Sequence, residues 1–404
     1  MYTLLNRKTF YPDLINEIDQ AKHHILIEAY IWINDETGNK IGKAVLNAAK
    51  RGVKIYIRKD LSASVFEHTP KRSPFFVCKK DLEKGWQTLW NRKLGLMTPR
   101  MFNLFAFHIY KKKRRPKIKE SSLQKKLAGH KNIHIDNLPF FNHGKLILID
   151  ETAYVGGQCI SNDYTEWTDY NIKIQNKKVV ENVYTQIHGE EPLHVGQESH
   201  FFDNVFTAKE PIHFVQKKFI EETAPGEELT IEMSYFGKWF IPILKKTLKR
   251  GVKINIIASE QSDTNHHTNM WVLTKLLATK SPHLKVFLSK RMIHTKGLST
   301  PKRALMGAAN FHNACGYFKA LNEQNIFSKH DALVKKIHEH FQEDLSTSKE
   351  IPTASKLPKW NRRSALKEIT SVYISSYFVF INKRRIQKWR DEASQKTAHT
   401  KPSR

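Results

Sequence analysis

The chain has 404 residues, more than one ordinary hydrophobic core accommodates, and this length fits two α/β halves. Its formal net charge of +28 predicts a polyanionic partner, either nucleic acid or an anionic membrane surface. The composition excludes several classes: three cysteines give no disulfide framework, no Cys/His cluster has zinc-ligand spacing, and no apolar run reaches the roughly 18 to 20 residues that span a bilayer.

The first sixty residues predict alternating helices and strands. An amphipathic helix is expected over 10–22, followed by an apolar strand over 25–30. A second helix over 41–49 leads into the sequence Lys-Arg-Gly-Val-Lys-Ile at 50–55, which opens another apolar strand. The start of the chain lacks the long apolar core of a signal peptide, so a cytoplasmic location is expected.

An insert over about 60–125 interrupts this pattern and combines aromatic side chains with a block of lysines and arginines. Such a combination is typical of an interfacial element that seeks anionic lipid. A solvated basic loop over a small aromatic core, or stacking on single-stranded nucleic acid, would produce the same composition. The residues concerned are Trp86, Trp90, Phe102, Phe105, Phe107 and Tyr110, followed by the basic run 111–117.

A histidine and a lysine two positions apart, His143 and Lys145, precede the apolar run 146–149 and Asp150. In extended backbone, residues i and i+2 point to the same side, so the imidazole and the ammonium are expected to face one site. An imidazole that can act as a nucleophile, beside a fixed ammonium, suits a phosphate substrate.

The same motif recurs as His294 and Lys296 in the second half of the chain. Each histidine is followed, thirteen positions later, by a glycine in a turn of small residues, Gly156 and Gly307 respectively. Each half is therefore predicted to contain an extended His-x-Lys segment, a turn, a second apolar strand and a turn of small residues.

The duplication extends upstream of the motif. The strand at 25–30 matches 229–235, and the Lys-Arg-Gly-Val-Lys-Ile sequence at 50–55 recurs at 249–254. Strands that alternate with helices predict an α/β fold with a largely parallel or mixed sheet in each half.

The remaining segments are less regular. The polar stretch 186–227 is predicted to be an irregular linker, and 346–359 to be a flexible connection. The apolar segment 369–381 is bracketed by basic residues; it could lie on a membrane surface or pack on the core. The last dozen residues are expected to be disordered. The predicted domains are 1–205, 206–346 and a basic, partly amphipathic tail over 347–404.

With two His-x-Lys motifs, the chain resembles the phospholipase D superfamily, whose signature is His-x-Lys-x4-Asp. His143, Lys145 and Asp150 match this signature fully, whereas the second copy has Pro301 at the aspartate position. Within the superfamily it is most similar to the bacterial cardiolipin synthases, and the resemblance covers about 8–345. The supporting residues are the Gly156-Gly157 turn with Ile160, Tyr164, Trp167, Asp169, Asn322 and Glu323.

The resemblance implies two similar halves, each a mixed β-sheet flanked by helices, with one active site at their interface. It implies that His143 is the nucleophile and His294 the general acid and base, while Lys145 and Lys296 stabilise phosphate charge. No metal or cofactor is required. Asp169 and Glu323 are expected to hydrogen-bond the far imidazole nitrogens, Asp150 to support its motif, and Asn310 to lie beside the phosphate.

Two departures from the family pattern accompany these matches. Pro301 replaces the aspartate of the second motif, and Cys159 stands where the first half would carry the counterpart of Asn310. Since the aspartate is expected to support the motif and not to react, the prediction is altered loop geometry with retained activity. A catalytically inactive, anionic-membrane-binding relative is the alternative.

The leading hypothesis is an enzyme, a phosphatidyltransferase that forms cardiolipin from phosphatidylglycerol through a phosphohistidine, at the inner face of the cell membrane. The alternatives are a phospholipase D that uses water, and a phosphodiesterase or nuclease on nucleic acid. The expected partners are an anionic membrane, bound peripherally, and a phospholipid substrate. Nucleic acid is the less favoured partner.

Overall fold

The computed structural model describes residues 1–60, 63, 75, 121–138, 142–186, 193–194, 198–203, 210–311 and 322–381. The chain divides into two compact units. The larger unit comprises Met1–Phe10, Glu151–Gln158 and Asp163–Tyr377, and the smaller unit comprises Tyr11–Asp150, Cys159–Asn162 and Phe378–Arg404.

Strands and helices alternate along the described chain. The helices are α1 (Phe10–Gln20), α2 (Glu36–Lys50), α3 (Ser122–Ala128), α4 (Asp163–Glu166), α5 (Lys177–Gln186), α6 (Ile212–Glu221), α7 (Phe240–Lys249), α8 (His266–Leu277), α9 (Asp331–Thr347) and α10 (Arg362–Ile381). The strands are β1 (Tyr2–Asn6), β2 (His24–Ala29), β3 (Lys54–Asp60), β4 (Ile133–Leu138), β5 (Leu146–Ile149), β6 (Thr152–Gly156), β7 (Tyr170–Gln175), β8 (Leu193–His194), β9 (Ser199–Asp203), β10 (Glu228–Met233), β11 (Lys253–Ser259), β12 (Leu284–Ser289), β13 (Lys296–Thr300), β14 (Arg303–Gly307), β15 (Gln324–Ser328) and β16 (Lys349–Glu350).

In the smaller unit, the strands run in the order β5-β2-β3-β4, with β2, β3 and β4 parallel and β5 antiparallel to β2. Helix α2 begins at the Asp35 cap, whose carboxylate accepts a hydrogen bond from the Gly38 backbone at 2.9 Å. Its buried face repeats at helical spacing, with Ile41 and Val45 fully covered. Helix α2 follows β2 in the chain, and the first motif lies near the carboxyl end of β2.

In the larger unit, nine strands run in the order β16-β12-β11-β10-β13-β14-β15-β9-β8. Strands β10, β11 and β12 are parallel, and β13 is antiparallel to β10. Strand β7 pairs antiparallel with β1 and with β6. Buried apolar side chains of these strands and of α6, α7 and α8 form the core, which includes Ile231, Phe240 and Leu273.

The predicted fold class is confirmed, because the chain contains two mixed β-sheets flanked by helices. The helix expected over 10–22 is α1, and the two matched helices are α2 and α7. In the larger unit, the strand that begins at Lys296 and the second apolar strand form the hairpin β13–β14, as the repeat predicted.

The irregular linker predicted over 186–227 is wrong in one respect, because this segment contains β8, β9 and α6. Its prolines and glycines suggested a loop, but Ile212, Val215 and Phe219 recur at helical spacing and are buried. The flexible connection predicted over 346–359 also carries regular structure: β16 pairs with β12, and Ala354–Lys356 form a 3-10 helix.

The domain bounds stay a prediction, and most of the 60–125 insert and the last dozen residues lie outside the described residues. The apolar segment 369–381 lies within helix α10. Within the described part of the chain, no helix combines the length and the apolar character that crossing a bilayer needs.

Candidate active site

The first motif lies at the start of β5, in the smaller unit. His143 and Lys145 precede the strand in irregular backbone and do not belong to it, unlike the extended strand that the sequence suggested. Their side chains nevertheless meet. The Lys145 Nζ atom lies 3.4 Å from each ring nitrogen of His143 and donates to the His143 carbonyl at 2.6 Å. The Tyr30 ring packs edge-on against the imidazole, 4.4 Å between centroids.

Asp150, the last residue of the first signature, follows β5 and so lies at the opposite end of that strand from His143. Its carboxylate accepts hydrogen bonds from the backbone of Lys22, His23 and His24 at 2.7, 3.1 and 2.9 Å. These amides begin β2, whereas Tyr30 and His143 lie beyond its carboxyl end. Asp150 therefore anchors the start of the strand, and it does so from a left-handed backbone conformation with φ of 46°.

In the larger unit, two of the three corresponding amides are satisfied by backbone carbonyls, although Pro301 stands at the aspartate position. The Gly226 N–H donates to the Gly251 carbonyl at 2.9 Å, and the Glu227 N–H donates to the Ala224 carbonyl at 3.1 Å. These two amides therefore need no carboxylate at position 301.

The second motif lies in the larger unit and is almost completely covered. His294 is 5% exposed and Lys296 is 1% exposed. The Lys296 Nζ atom lies 2.8 and 3.0 Å from the two ring nitrogens of His294 and also contacts its carbonyl oxygen. The Asp169 Oδ2 atom lies 2.6 Å from Nδ1 of His294. The carboxylate therefore holds one face of this buried imidazole in a defined orientation.

The position of Asp169 is fixed by backbone contacts of its neighbour Thr168 and by the absence of a side chain at Gly157. The Thr168 carbonyl accepts hydrogen bonds from the His294 and Thr295 amides at 2.7 and 3.2 Å. A Cβ atom on Gly157 would lie 2.4 Å from Oδ1 of Asp169, so only glycine leaves room for this carboxylate. The same oxygen accepts from the Tyr170 amide at 2.9 Å.

Aromatic rings surround the buried imidazole of His294. Tyr164 meets it edge-on at 4.9 Å between centroids, Trp167 lies at 5.4 Å and Tyr235 at 6.4 Å. Such a wall lowers the local dielectric constant and so strengthens the interactions of charged groups inside the site.

Glu323 and Asn310, also named from the sequence, are buried in the larger unit, 0% and 5% exposed. The Oδ1 atom of Asn310 has no hydrogen-bond partner among the described residues, so the amide retains an unused acceptor. Cys159 is buried in the smaller unit, where its carbonyl accepts from the Tyr11 hydroxyl at 2.5 Å. The described residues contain no cluster of three or more His, Cys, Asp or Glu that could hold a metal ion.

A second layer of ionisable groups behind His294 was not anticipated. Burial and the neighbouring Asp344 charge raise the pKa of Glu232 well above its usual value. Burial likewise raises the pKa of Asp344, whose Oδ2 atom accepts from the Tyr170 hydroxyl at 2.6 Å. The signal that could have revealed Glu232 is a glutamate within an apolar strand, repeated at Glu28 in the first half.

The family model described as cardiolipin synthase, PLD-like domain matches residues 14–189 and 218–345. The chain belongs to this family. Each of the two matched segments contains its own His-x-Lys motif, so the family membership covers both halves of the duplicated sequence.

Two relatives from this phospholipase D-like family match most of the chain. The major cardiolipin synthase ClsA of Bacillus subtilis is 23% identical over 90% of this chain and 72% of its own length. The cardiolipin synthase of Clostridium perfringens is 22% identical over 89% of this chain and 72% of its own length. The crystal structure of phosphatidylserine synthase from Haemophilus influenzae has the same fold, with a TM-score of 0.63, 13% identity and coverage of 94% and 95% of the two chains.

Proposed function

We propose that this protein is a phosphatidyltransferase that forms cardiolipin from two phosphatidylglycerol molecules and releases glycerol. The observation that carries the proposal is the pair of His-x-Lys motifs, one of which holds its imidazole between a lysine and the Asp169 carboxylate. Membership of the cardiolipin synthase, PLD-like domain family supports the substrate class.

The proposed reaction has two displacements at phosphorus. In the first, a ring nitrogen of His143 forms a bond to phosphorus, and the bond from phosphorus to the glycerol oxygen breaks. His294, protonated at that stage, gives its proton to the departing oxygen and becomes neutral. The phosphatidyl group is then held as a phosphohistidine.

In the second displacement, a hydroxyl of another phosphatidylglycerol attacks the phosphohistidine. His294 takes the hydroxyl proton, the bond from nitrogen to phosphorus breaks, and cardiolipin is released. Asp169 contacts Nδ1 of His294, so Nε2 is the nitrogen available for both proton transfers. At the end of the cycle, His143 no longer carries phosphorus and His294 is protonated again.

The other candidate residues have supporting roles in this proposal. Lys145 and Lys296 stabilise charge on the non-bridging phosphate oxygens, so the scheme needs no metal ion. Glu323 is proposed to orient an imidazole through its far ring nitrogen, as Asp169 does for His294. The unused acceptor on Asn310 suits a hydroxyl donor of the incoming lipid.

We propose peripheral binding to an anionic membrane through the face of α10. This helix exposes Arg362, Arg363 and Lys367 together with Leu366, which is 53% exposed. Beside them lies an apolar groove of about 270 Å³. It is lined by Trp271, Thr274, Lys275, Trp360, Arg362, Ala365, Leu366 and Ile369. Apolar side chains flanked by cations are typical of surfaces that bind anionic lipid.

The decisive experiment is a product assay with phosphatidylglycerol vesicles, read by mass spectrometry of the lipids. We expect cardiolipin and glycerol from the wild type and none from His143→Ala or His294→Ala. His283→Ala, outside both motifs, is the matched control and should behave as the wild type. A denaturing quench at alkaline pH, where the bond from nitrogen to phosphorus survives, should trap a chain that carries the phosphatidyl group in the wild type and not in His143→Ala.

Other outcomes would overturn the proposal in distinct ways. Phosphatidic acid as the only product would mean that water is the acceptor and that the protein is a phospholipase. Turnover of single-stranded DNA or RNA without lipid turnover would indicate a nuclease. Full activity of His143→Ala would refute the phosphohistidine scheme. No turnover of any of these substrates would favour a membrane-binding protein without catalysis.

A further inference from the structure

Two acidic side chains lie behind His294: Glu232 on β10, which is buried, and Asp344 on α9, which is partly exposed. Glu232 is 0% exposed. The strand register places it opposite Gly297, the residue after Lys296, and paired residues of adjacent strands point to the same face. That face is covered by α9, because a Cβ atom on Gly297 would lie 2.5 Å from the Phe341 ring.

The pair cannot form a hydrogen bond if both carboxyl groups are ionised, because a carboxylate only accepts. Neither oxygen of Glu232 has a hydrogen-bond donor of good geometry among the described residues. Burial and the charge on Asp344 raise the pKa of Glu232, and the nearby Thr295 hydroxyl opposes this shift. A buried carboxyl group that faces a second acidic side chain favours retention of one proton by the pair.

The same position in the smaller unit shows the alternative solution. Glu28 lies opposite Leu146, the residue after Lys145, and is equally buried. Its carboxylate is paired with Arg58 at 3.1 Å. In the larger unit, Ile257 occupies the register position of Arg58, so this position supplies no cation to Glu232. One buried glutamate is therefore neutralised by an arginine and the other requires a proton.

Asp344 connects this pair to the candidate active site. Its Oδ2 atom accepts from the Tyr170 hydroxyl at 2.6 Å, while the Tyr170 amide donates to Asp169 at 2.9 Å. Asp169 in turn contacts Nδ1 of His294 at 2.6 Å. A single tyrosine thus joins the acidic pair to the carboxylate that orients the imidazole.

We infer that Glu232 and Asp344 share one proton near neutral pH and act, through Tyr170, as positioning residues for Asp169 and His294. The shared proton keeps a further negative charge away from Asp169, whose own charge is matched to the imidazole. The effect on catalysis rests on the proposed function, whereas the shared proton is a property of the folded protein alone. The ionisable groups that face the pair are Asp169, Tyr170, Arg291, His340 and Glu343.

Infrared spectroscopy of the full chain at neutral pH is the first test of whether Glu232 and Asp344 share a proton. The wild type should show the carbonyl band of a buried protonated carboxylic acid, and Glu232→Gln should lack it. Glu339→Gln, an exposed acid on the same helix α9, is the control and should retain the band. A wild-type spectrum without the band, or a band unchanged in Glu232→Gln, would overturn the inference.

The pH dependence of the melting temperature is an independent test. The pKa of Glu232 is raised in the folded state above its ordinary value of 4.5, so the folded chain binds more protons and the wild type loses stability as pH rises above that value. Glu232→Gln cannot titrate, so its melting temperature should rise relative to the wild type between pH 5 and pH 9. Glu28→Gln should melt below the wild type across this range, because Arg58 is left buried without its partner.

A constant difference between Glu232→Gln and the wild type at all pH values would overturn the inference. An equal loss in Glu232→Gln and Glu28→Gln would do the same, since both glutamates would then be ionised. Either result can be obtained without any enzyme assay, so failure of the proposed function is distinguishable from failure of this inference.

The positioning role is tested by steady-state kinetics. Tyr170→Phe removes the hydroxyl that bonds Asp344, and misplacement of Asp169 should lower kcat by about 10- to 100-fold with little change in KM. Glu232→Gln should move the alkaline limb of the pH profile to higher pH, whereas Glu339→Gln should leave it in place. A loss confined to KM in Tyr170→Phe, or an unmoved alkaline limb in Glu232→Gln, would contradict the positioning role.

Discussion

The Nδ1 atom of His294 lies 2.6 Å from Oδ2 of Asp169, and both side chains are almost completely buried. A carboxylate at this distance accepts a hydrogen bond from the Nδ1–H group and so favours the tautomer in which the proposed mechanism uses Nε2 for proton transfer. Two distant segments of the sequence, around 169 and 294, therefore meet in one imidazole–carboxylate pair within the larger unit.

Replacement of this carboxylate should abolish most of the activity. We expect Asp169→Asn to lower kcat by roughly 100- to 10,000-fold, because an amide can present its N–H to Nδ1 and so favour the wrong tautomer. KM and the melting temperature should change little by comparison. Glu166→Gln, an exposed acid three residues away, is the control for a lost charge. Wild-type kcat in Asp169→Asn would show that the contact is not used in catalysis.

A single added methyl group at Gly157 should have a similar effect. The new Cβ atom would lie 2.4 Å from Oδ1 and 2.7 Å from Oδ2 of Asp169, so the carboxylate must move. We expect Gly157→Ala to lower kcat by at least about 100-fold, since a displacement near 1 Å has this effect on a catalytic group. Gly129→Ala has a nearest contact of 3.2 Å and should keep wild-type kinetics. Equal kinetics in both variants would contradict the steric argument.

The sequence predicted the duplicated fold because its information is local and repeated. Helical and strand periodicity located α1, α2 and α7, and the motif spacing identified the hairpin β13–β14. It failed over 186–227, where prolines and glycines suggested a loop although buried apolar residues form α6. Local composition outweighed a short helical period there.

The candidate site shows a different limit. His294 and Lys296 were found because they belong to a repeated motif, but the bond between Tyr170 and Asp344 joins residues 174 positions apart. Neither residue lies in a motif, so no pattern in one sequence indicates that they meet. Asp150 was identified by its motif, yet only the structure places its carboxylate on the backbone that begins β2.

Asp150 should therefore affect stability more than chemistry. Asp150→Ala leaves three backbone amides without their acceptor, and we expect the free energy of unfolding to fall by about 2 kcal/mol. Any decrease in kcat should be far smaller than in His143→Ala. In contrast, Pro301→Asp should stabilise the protein by less than about 0.5 kcal/mol, because Gly251 and Ala224 already accept from two of the corresponding amides. Urea unfolding of the full chain measures both changes, and equal effects at the two positions would contradict this account.

The basic face of α10 should determine affinity for anionic vesicles. Reversing the charge of its exposed cations, in the triple variant Arg362→Glu, Arg363→Glu and Lys367→Glu, removes attractions of about 1 kcal/mol each near an anionic surface. We expect binding to phosphatidylglycerol vesicles to weaken by at least about 100-fold, with a smaller difference from the wild type at high salt. Vesicle co-sedimentation at two salt concentrations measures the effect.

A control with the same net charge separates the helix from the charge of the whole protein. Lys246→Glu, Lys249→Glu and Lys253→Glu reverse three exposed cations on α7 and at the start of β11, away from α10 in sequence. If α10 is the binding face, this triple variant should bind much more tightly than the α10 variant, because attraction falls off within a Debye length of the membrane. Equal losses in the two variants would mean that the net charge of +28 acts as a whole and that α10 has no special part in binding.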